Sequence, residues 1–338
     1  MKPFVRNVWY LAAWTHEVPA GDMLSRKLLG TPRVIFQRSD GGWTMLADRC
    51  PHRFAPLSMG KRVGDTIRCG YHGLGFDSTG ACVHNAFPGG IPKGAAVESL
   101  RVVERHGGLW FWPGDPAKAD PAAIPDFKFL EGTTNVFARM TMSAHYELLT
   151  DNLMDLSHAE FLHVKSFGTN GSLLHHGKQT VETDDSGAVW NKWDMDQVEA
   201  PGWAQPMLQP GERVDQWIHM RWHAPAAMAL EIGLAKAGTG RRQLVIPTML
   251  DPHILTPETH SSTHYFFWHQ PTADAQAMAE QVFRQEDEPM IRAVFEAMEG
   301  EDFWDMKPLI LPSDGGALRA RRRLMKLRAD EEAGTAPA

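Results

Sequence analysis

Cysteine is scarce: the 338 residues contain three, Cys50, Cys69 and Cys82, so no framework of disulfides supports the fold. Long apolar runs are missing as well. None approaches the roughly 18 residues that a membrane-spanning helix needs, and the bulky stretch from Val8 to Trp14 stops at Thr15 and His16. These absences point to a cytoplasmic chain with no membrane partner. Positive charge is in deficit, with 34 Lys and Arg against 41 Asp and Glu and a net charge of -7, so no field holds a polyanion and nucleic acid is excluded as a partner. What remains is a globular chain, 43% hydrophobic and long enough for two domains, that carries 16 histidines. Metal ligation is therefore the first chemistry to look for.

The first third consists of short β-like runs, Val34 to Gln37, Trp43 to Ala47, Leu74 to Phe76 and Leu109 to Trp112, divided by turn clusters such as Ser39-Asp40-Gly41-Gly42. It reads as a small all-β domain. Pro113, Pro116, Pro121 and Pro125 then forbid regular structure and mark a boundary. Beyond it, strand candidates at 135–142, 217–223, 242–249 and 263–269 mix with helices, making the whole α+β. The pattern predicts one helix from about Tyr146 to Phe161, with Asp151, Asp155 and His158 in a single polar row, and another over 273–298. On the second, Ala275, Met278, Val282, Phe283, Met290, Ile291, Val294, Phe295 and Met298 form a core-facing stripe. The basic segment Arg319 to Arg328 reads as the solvated face of a C-terminal helix.

Cys50-Pro51-His52 and Cys69-Gly70-Tyr71-His72 stand 16 residues apart, each offering one thiolate and one imidazole. Two metals suit that inventory, tetrahedral zinc or a [2Fe-2S] cluster whose irons are held by a cysteine pair and a histidine pair. The mixed pair on each loop favours the cluster, because zinc modules usually carry their pairs as CxxC and HxxxH. Cys82 and His84 have no matching second pair and read as structural.

His158 and His163 lie near the end of the polar-row helix, but five residues rotate a helix by about 500°, so the helix must end or bulge for both rings to meet. Asp155, three residues before His158, can accept a hydrogen bond from that imidazole. Asp287 falls inside the apolar stripe, where an inward carboxylate must be paired or metal-bound. The competing reading lets Pro289 kink the helix and turn Asp287 to solvent, with Glu286 and Glu288 as further surface acids. Two imidazoles and a carboxylate leave coordination positions open, the facial arrangement of non-haem Fe(II) oxygenases.

The motifs Phe4-Val5-Arg6-Asn7-Val8-Trp9-Tyr10, Cys50-Pro51-His52-Arg53, Cys69-Gly70-Tyr71-His72-Gly73-Leu74 and Asp151-Asn152-Leu153-Met154-Asp155-Leu156 resemble the Rieske oxygenases. They look most like the vanillate O-demethylase and dicamba monooxygenase branch. The resemblance implies a Rieske domain over 1–118, with Cys50, His52, Cys69 and His72 holding the cluster. It implies a helix-grip α+β catalytic domain over 119–338, with His158, His163 and Asp287 on a mononuclear Fe(II). It also implies a homotrimer in which His72 of one chain passes electrons through Asp155 of the next, with Asn152 close to the iron. O2 would be the co-substrate. In the absence of a GxGxxG fingerprint, electrons from NAD(P)H must arrive through a separate ferredoxin or flavin reductase.

The implied reaction is oxidative O-demethylation of a methoxylated, vanillate-like aromatic acid with release of formaldehyde. Ring or side-chain hydroxylation or dioxygenation of another aromatic carboxylate or sulfonate is the runner-up. From a different class come a non-catalytic electron carrier and a zinc-stabilised binding module, which do not require so large a second domain. Aromatic and apolar residues of that domain, among them Trp217, Trp222, Met228, Phe266, Phe267 and Trp268, suit a flat ring. By resemblance His253 binds the substrate's polar group, whereas Leu230 and Met278 stand where the branch has a pocket amide and a pocket indole. The substrate therefore need not be the same.

Overall fold

The computed structural model describes residues 2–164 and 166–334. They form two compact units. The first comprises Phe4–Glu131 with Thr256–Thr259, and the second Gly132–Leu255 with His260–Ala333 and the N-terminal residues. The proline-rich stretch after residue 113 thus stays with the first unit to Glu131, beyond the 118/119 division read from the sequence. Asp115 and Asp120 cap short 3-10 turns there through bonds to Ala117 N and Ala122 N, which lets the prolines pack locally.

The first unit is all β, as its alternation and turn clusters imply. A six-stranded antiparallel sheet has the order β1-β10-β9-β4-β3-β2, from strands β1 (Tyr10–Trp14), β2 (Leu24–Leu28), β3 (Thr31–Gln37), β4 (Trp43–Ala47), β9 (Ser99–Arg105) and β10 (Gly108–Trp112). A second, smaller sheet has the order β5-β6-β7-β8, from β5 (Lys61–Val63), β6 (Thr66–Arg68), β7 (Gly75–Phe76) and β8 (Cys82–His84). The cysteine loops follow β4 and β6. Val34, Phe36, Leu46, Leu57, Ile67 and Phe76 make the apolar floor beneath them, and Cys82 is part of that floor.

The second unit is built on a seven-stranded antiparallel sheet, order β11-β17-β16-β15-β14-β13-β12. Its strands are β11 (Val136–Met142), β12 (Lys178–Thr183), β13 (Val189–Glu199), β14 (Arg213–His223), β15 (Ala227–Lys236), β16 (Leu244–Pro257) and β17 (Thr263–His269). β12, β13 and β15 escape the sequence reading; much of β12 is polar, and β15 carries three Ala and one Gly among its ten residues. The helices are α1 (Tyr146–Met154), α2 (Ala159–Leu162), α3 (Ser172–His176), α4 (Ala273–Glu280), α5 (Glu288–Ala297) and α6 (Gly315–Glu332). No helix among the described residues is long and apolar enough to cross a membrane.

Three expectations are corrected. The single helix to Phe161 is broken at Asp155, whose backbone leaves the helical region (φ -97, ψ 87) and starts a 3-10 turn over Leu156–His158. Asp151 and His158 therefore share no row. Second, only Val282 and Ile291 of the apolar stripe over 273–298 are fully buried; Ala275, Phe283, Phe295 and Met298 are half-buried, and Met278, Met290 and Val294 are exposed. A π-helical turn over Gln281–Asp287 inserts an extra residue per turn between α4 and α5, so the two halves of the stripe fall out of register.

The third correction concerns the basic helix. Arg321 and Arg328 of α6 point inward rather than to solvent. Arg321 pairs with Asp151 at 2.5 Å and Glu147 at 3.1 Å, and Arg328 bonds Glu147 and the Tyr146 hydroxyl. This buried ion network fastens α6 to α1.

Candidate metal centres and active site

The two cysteine loops are built alike. Cys50 N donates to Ala55 O and Phe54 N to Cys50 O, while Cys69 N donates to Leu74 O and Gly73 N to Cys69 O. The fifth residue of each, Phe54 (φ 62) and Gly73 (φ 75), takes the left-handed conformation that closes the loop. The His52 and His72 rings lie 4.5 Å apart. Burial pushes the Cys50 thiol pKa up, and the neighbouring Cys69 thiol adds to the rise. His72 Nδ1 is buried without a hydrogen-bond partner. Two adjacent buried thiols and an orphaned imidazole nitrogen at one end of a unit fit a metal cluster, which would take up both the thiolate charge and the ring nitrogen.

In the second unit His158, His163 and Asp287 converge, one ligand atom from each lying within 4.8 Å of the others. His158 Nε2 is 3.1 Å from His163 Nε2, and Asp287 Oδ1 is 3.6 Å and 3.3 Å from the two nitrogens. The break at Asp155 makes this possible: His158 closes the 3-10 turn and His163 ends α2, so the rings are not held to one helical rotation. The chain leaves the helix at Asp155, before His158, and α2 ends at Leu162, so the expected end between the two histidines is present as well. Asp287 closes the π turn and is only 4% exposed, which excludes the solvent-facing alternative. Three lone-pair donors aimed at one point inside the protein fit a divalent cation, whose charge relieves their mutual crowding.

Each donor is held from behind. His158 Nδ1 bonds the main-chain carbonyl of Asp155, whereas the Asp155 carboxylate caps the turn by accepting from Ser157 N and Oγ. The hydrogen bond expected from the Asp155 side chain is thus made by its backbone. Asn152 Nδ2 donates to Asp287 Oδ1 at 3.1 Å. Glu286, which the sequence offered only as a surface acid, reaches His163 Nδ1 at 2.7 Å and is itself held by Ser166 Oγ and Gln281 Nε2, each at 2.8 Å. The π turn therefore places consecutive carboxylates on opposite edges of one imidazole. Burial disfavours a charged ring at both histidines and lowers the His158 pKa. At His163 burial is outweighed by Asp287 and Glu286, so its pKa is raised.

On the sheet, His253 is buried, and its Nδ1 bonds the Tyr265 hydroxyl while Nε2 has no partner. Burial lowers its pKa to about 4, leaving a neutral ring. Phe283 of the π turn packs against His253, Tyr265 and Phe267 at 6.0, 4.8 and 5.1 Å between ring centres. This aromatic wall adjoins the turn that carries Asp287. Leu230 is half-buried on β15, in register with Asp251. Met278 on α4 is 40% exposed, so it does not close a pocket by itself. Trp217 is tied through its indole N–H to Glu231 and lies under Arg241.

Two family models match the chain: the Rieske [2Fe-2S] domain over residues 8–95 and the vanillate O-demethylase oxygenase C-terminal domain over 142–330. The chain belongs to the Rieske non-haem iron oxygenases. The oxygenase is 35% identical to the dicamba O-demethylase oxygenase component of Stenotrophomonas maltophilia, over 96% of this chain and 98% of that one. It is 34% identical to the chloroacetanilide N-alkylformylase oxygenase component of Rhizorhabdus wittichii, over 95% and 94%. The crystal structure of dicamba monooxygenase with non-haem iron and dicamba superposes with a TM-score of 0.80 at 34% identity, covering 98% of this chain and all of that one. As an oxygenase component of a multicomponent system, this enzyme uses a Rieske [2Fe-2S] cluster and a mononuclear non-haem iron. The loops of Cys50 and Cys69 would hold the first, and His158, His163 and Asp287 the second.

Proposed function

We propose that the oxygenase removes the methyl group of a methoxylated aromatic substrate as formaldehyde. The observation that carries this reading is the placement of the His158, His163 and Asp287 triad beside the aromatic wall of Tyr265, Phe267 and Phe283, with the free Nε2 of His253 on the same wall. When bound, the cluster relays single electrons and the iron activates dioxygen.

The protein's own residues supply the rest. Asn152 and Glu286 fix the carboxylate and one imidazole of the triad, and the apolar wall excludes water and seats a flat ring. His253 Nε2 orients the ring through its polar substituent, which brings the methoxy group toward the triad. One oxygen atom enters a methyl C–H bond, two electrons and two protons carry the other to water, and the resulting hemiacetal collapses to a phenol and formaldehyde.

Electrons come from a separate reductase or ferredoxin. The working assembly is a homotrimer in which His72 of one subunit faces Asp155 of the next. Exposed apolar side chains beside both places support this: Tyr71 and Phe87 near His72, Phe161 and Val164 near the triad. Light scattering of the purified protein tests the trimer, and a single-chain mass excludes the relay. Cleavage of an N-alkyl group is the second reading, favoured by the similarity to an N-alkylformylase. A screen of methoxyarenes and N-alkylanilides with a surrogate reductase separates the two. Formaldehyde with a phenol product supports O-demethylation, and hydroxylated product without formaldehyde overturns it.

A further inference from the structure

Tyr265 and Phe267 stand two residues apart on β17, so both side chains leave the sheet on one face. Phe283 packs against both rings, at 4.8 and 5.1 Å between centres, and four residues further along the same π turn lies Asp287 of the triad. The Asp287 charge raises the pKa of both Tyr265 and His253, which sets the two within reach of its field. Tyr265 is thus the oxidisable ring beside Phe267 and Phe283, which have no hydroxyl proton to lose. The phenol is 2% exposed, and burial keeps it protonated. Its hydroxyl has one hydrogen-bond partner among the described residues, Nδ1 of His253. If Nδ1 carried the proton, the phenol hydrogen and Nε2 would both lack partners; with the phenol donating, only the Nε2 hydrogen does. Burial lowers the pKa of this ring to about 4, so Nδ1 is a neutral base held against the phenol.

The iron site of an oxygenase makes a strong oxidant from O2, and when no substrate C–H bond is in place that oxidant takes electrons from the protein. An electron alone does not leave Tyr265 readily, because a phenol cation would be stranded in an apolar wall. His253 removes this obstacle by taking the proton across an existing hydrogen bond, and imidazole is a far stronger base than the phenol. We infer that Tyr265 and His253 form a redox pair that quenches the iron site's oxidant when turnover is unproductive. In this step the phenol O–H bond breaks and an N–H bond forms at His253 Nδ1, while one electron passes to the iron centre, which is reduced by one equivalent. A neutral tyrosyl radical and an imidazolium remain. One electron from the system's reductant and the Nδ1 proton then restore the phenol. The inference rests on His158, His163 and Asp287 holding the iron, and not on which substrate is dealkylated.

Freeze-quench electron paramagnetic resonance on the holoenzyme tests this in the absence of substrate. Chemically reduced protein is mixed with O2-saturated buffer; a tyrosyl radical signal should appear, and ring-deuterated tyrosine should narrow it. The chain has four tyrosines, Tyr10, Tyr71, Tyr146 and Tyr265, so Tyr265→Phe should abolish the signal while phenylalanine at any of the other three keeps it. His253→Phe retains a ring without a base and should abolish the signal as well. A signal that survives either Tyr265→Phe or His253→Phe overturns the inference. If neither variant folds, Tyr10→Phe, Tyr71→Phe and Tyr146→Phe decide, and loss of the signal in any of them overturns it. A wild type that binds Fe(II) at the triad and consumes O2 with no radical removes the inference alone. One that binds no Fe(II) beyond the cluster removes the triad's assignment and the inference together.

Discussion

Replacing Glu286 by glutamine isolates the charge behind one of the two imidazoles of the triad. Glu286 accepts from His163 Nδ1 at 2.7 Å and Ser166 Oγ at 2.8 Å, and through its other oxygen from Gln281 at 2.8 Å. A glutamine with its carbonyl toward His163 and Ser166 keeps both of those bonds, and the Gln281 amide can rotate to accept from the new NH2. Shape and hydrogen bonding survive while the negative charge is lost. Carboxylates behind metal-bound histidines typically change metal affinity by about 10- to 100-fold, which is about 1.4 to 2.7 kcal/mol. Among the described residues His158 Nδ1 meets a main-chain carbonyl and no carboxylate, so the effect must come through His163. The assay is an anaerobic Fe(II) titration of cluster-loaded protein against a competing chelator, with the visible cluster absorbance as an internal control. Fe(II) affinity in Glu286→Gln equal to the wild type, with the cluster spectrum unchanged, would refute the reasoning that this carboxylate tunes the site.

Four further outcomes are expected. His158→Ala should keep the visible cluster spectrum and abolish turnover, and retained turnover would remove His158 from the site. His52→Ala should lose the cluster, so an unaltered iron-sulfur spectrum would count against the ligand set. Arg321→Met strands the Asp151 carboxylate in the interface of α1 and α6 and should cost about 3–5 kcal/mol, the usual penalty for breaking a buried pair. Thermal unfolding checks it, and an unshifted Tm would show that the network carries no stability. Because burial holds the folded His253 pKa near 4, below its ordinary value of about 6.5, the folded state binds fewer protons there. His253 therefore contributes stability above pH 6.5 that is lost as the pH falls toward 4. His253→Asn should flatten this part of the profile in denaturant titrations, and an identical slope would rule out a buried neutral ring.

The sequence by itself determined the chemistry of both centres, because ligation depends on residue type and short spacing. The loops Cys50-Pro51-His52 and Cys69-Gly70-Tyr71-His72 could be read as a cluster site from residue type and spacing, whereas His158, His163 and Asp287 were joined as an iron site through the family resemblance. The β character of the first unit was legible for a similar reason, since alternation and turn residues act within a few positions. What the tertiary structure decided depends on partners far apart in the chain. Only folding shows that Asp155 breaks the helix, and only the π turn sets Glu286 and Asp287 on opposite edges of His163, because one extra residue in a helical turn leaves no mark in composition. Arg321 and Arg328 looked like a solvated face until Glu147 and Asp151, more than 160 positions earlier, were seen to lie beneath them. Burial separates a solvated charge from a paired one, and burial is a property of the packed chain.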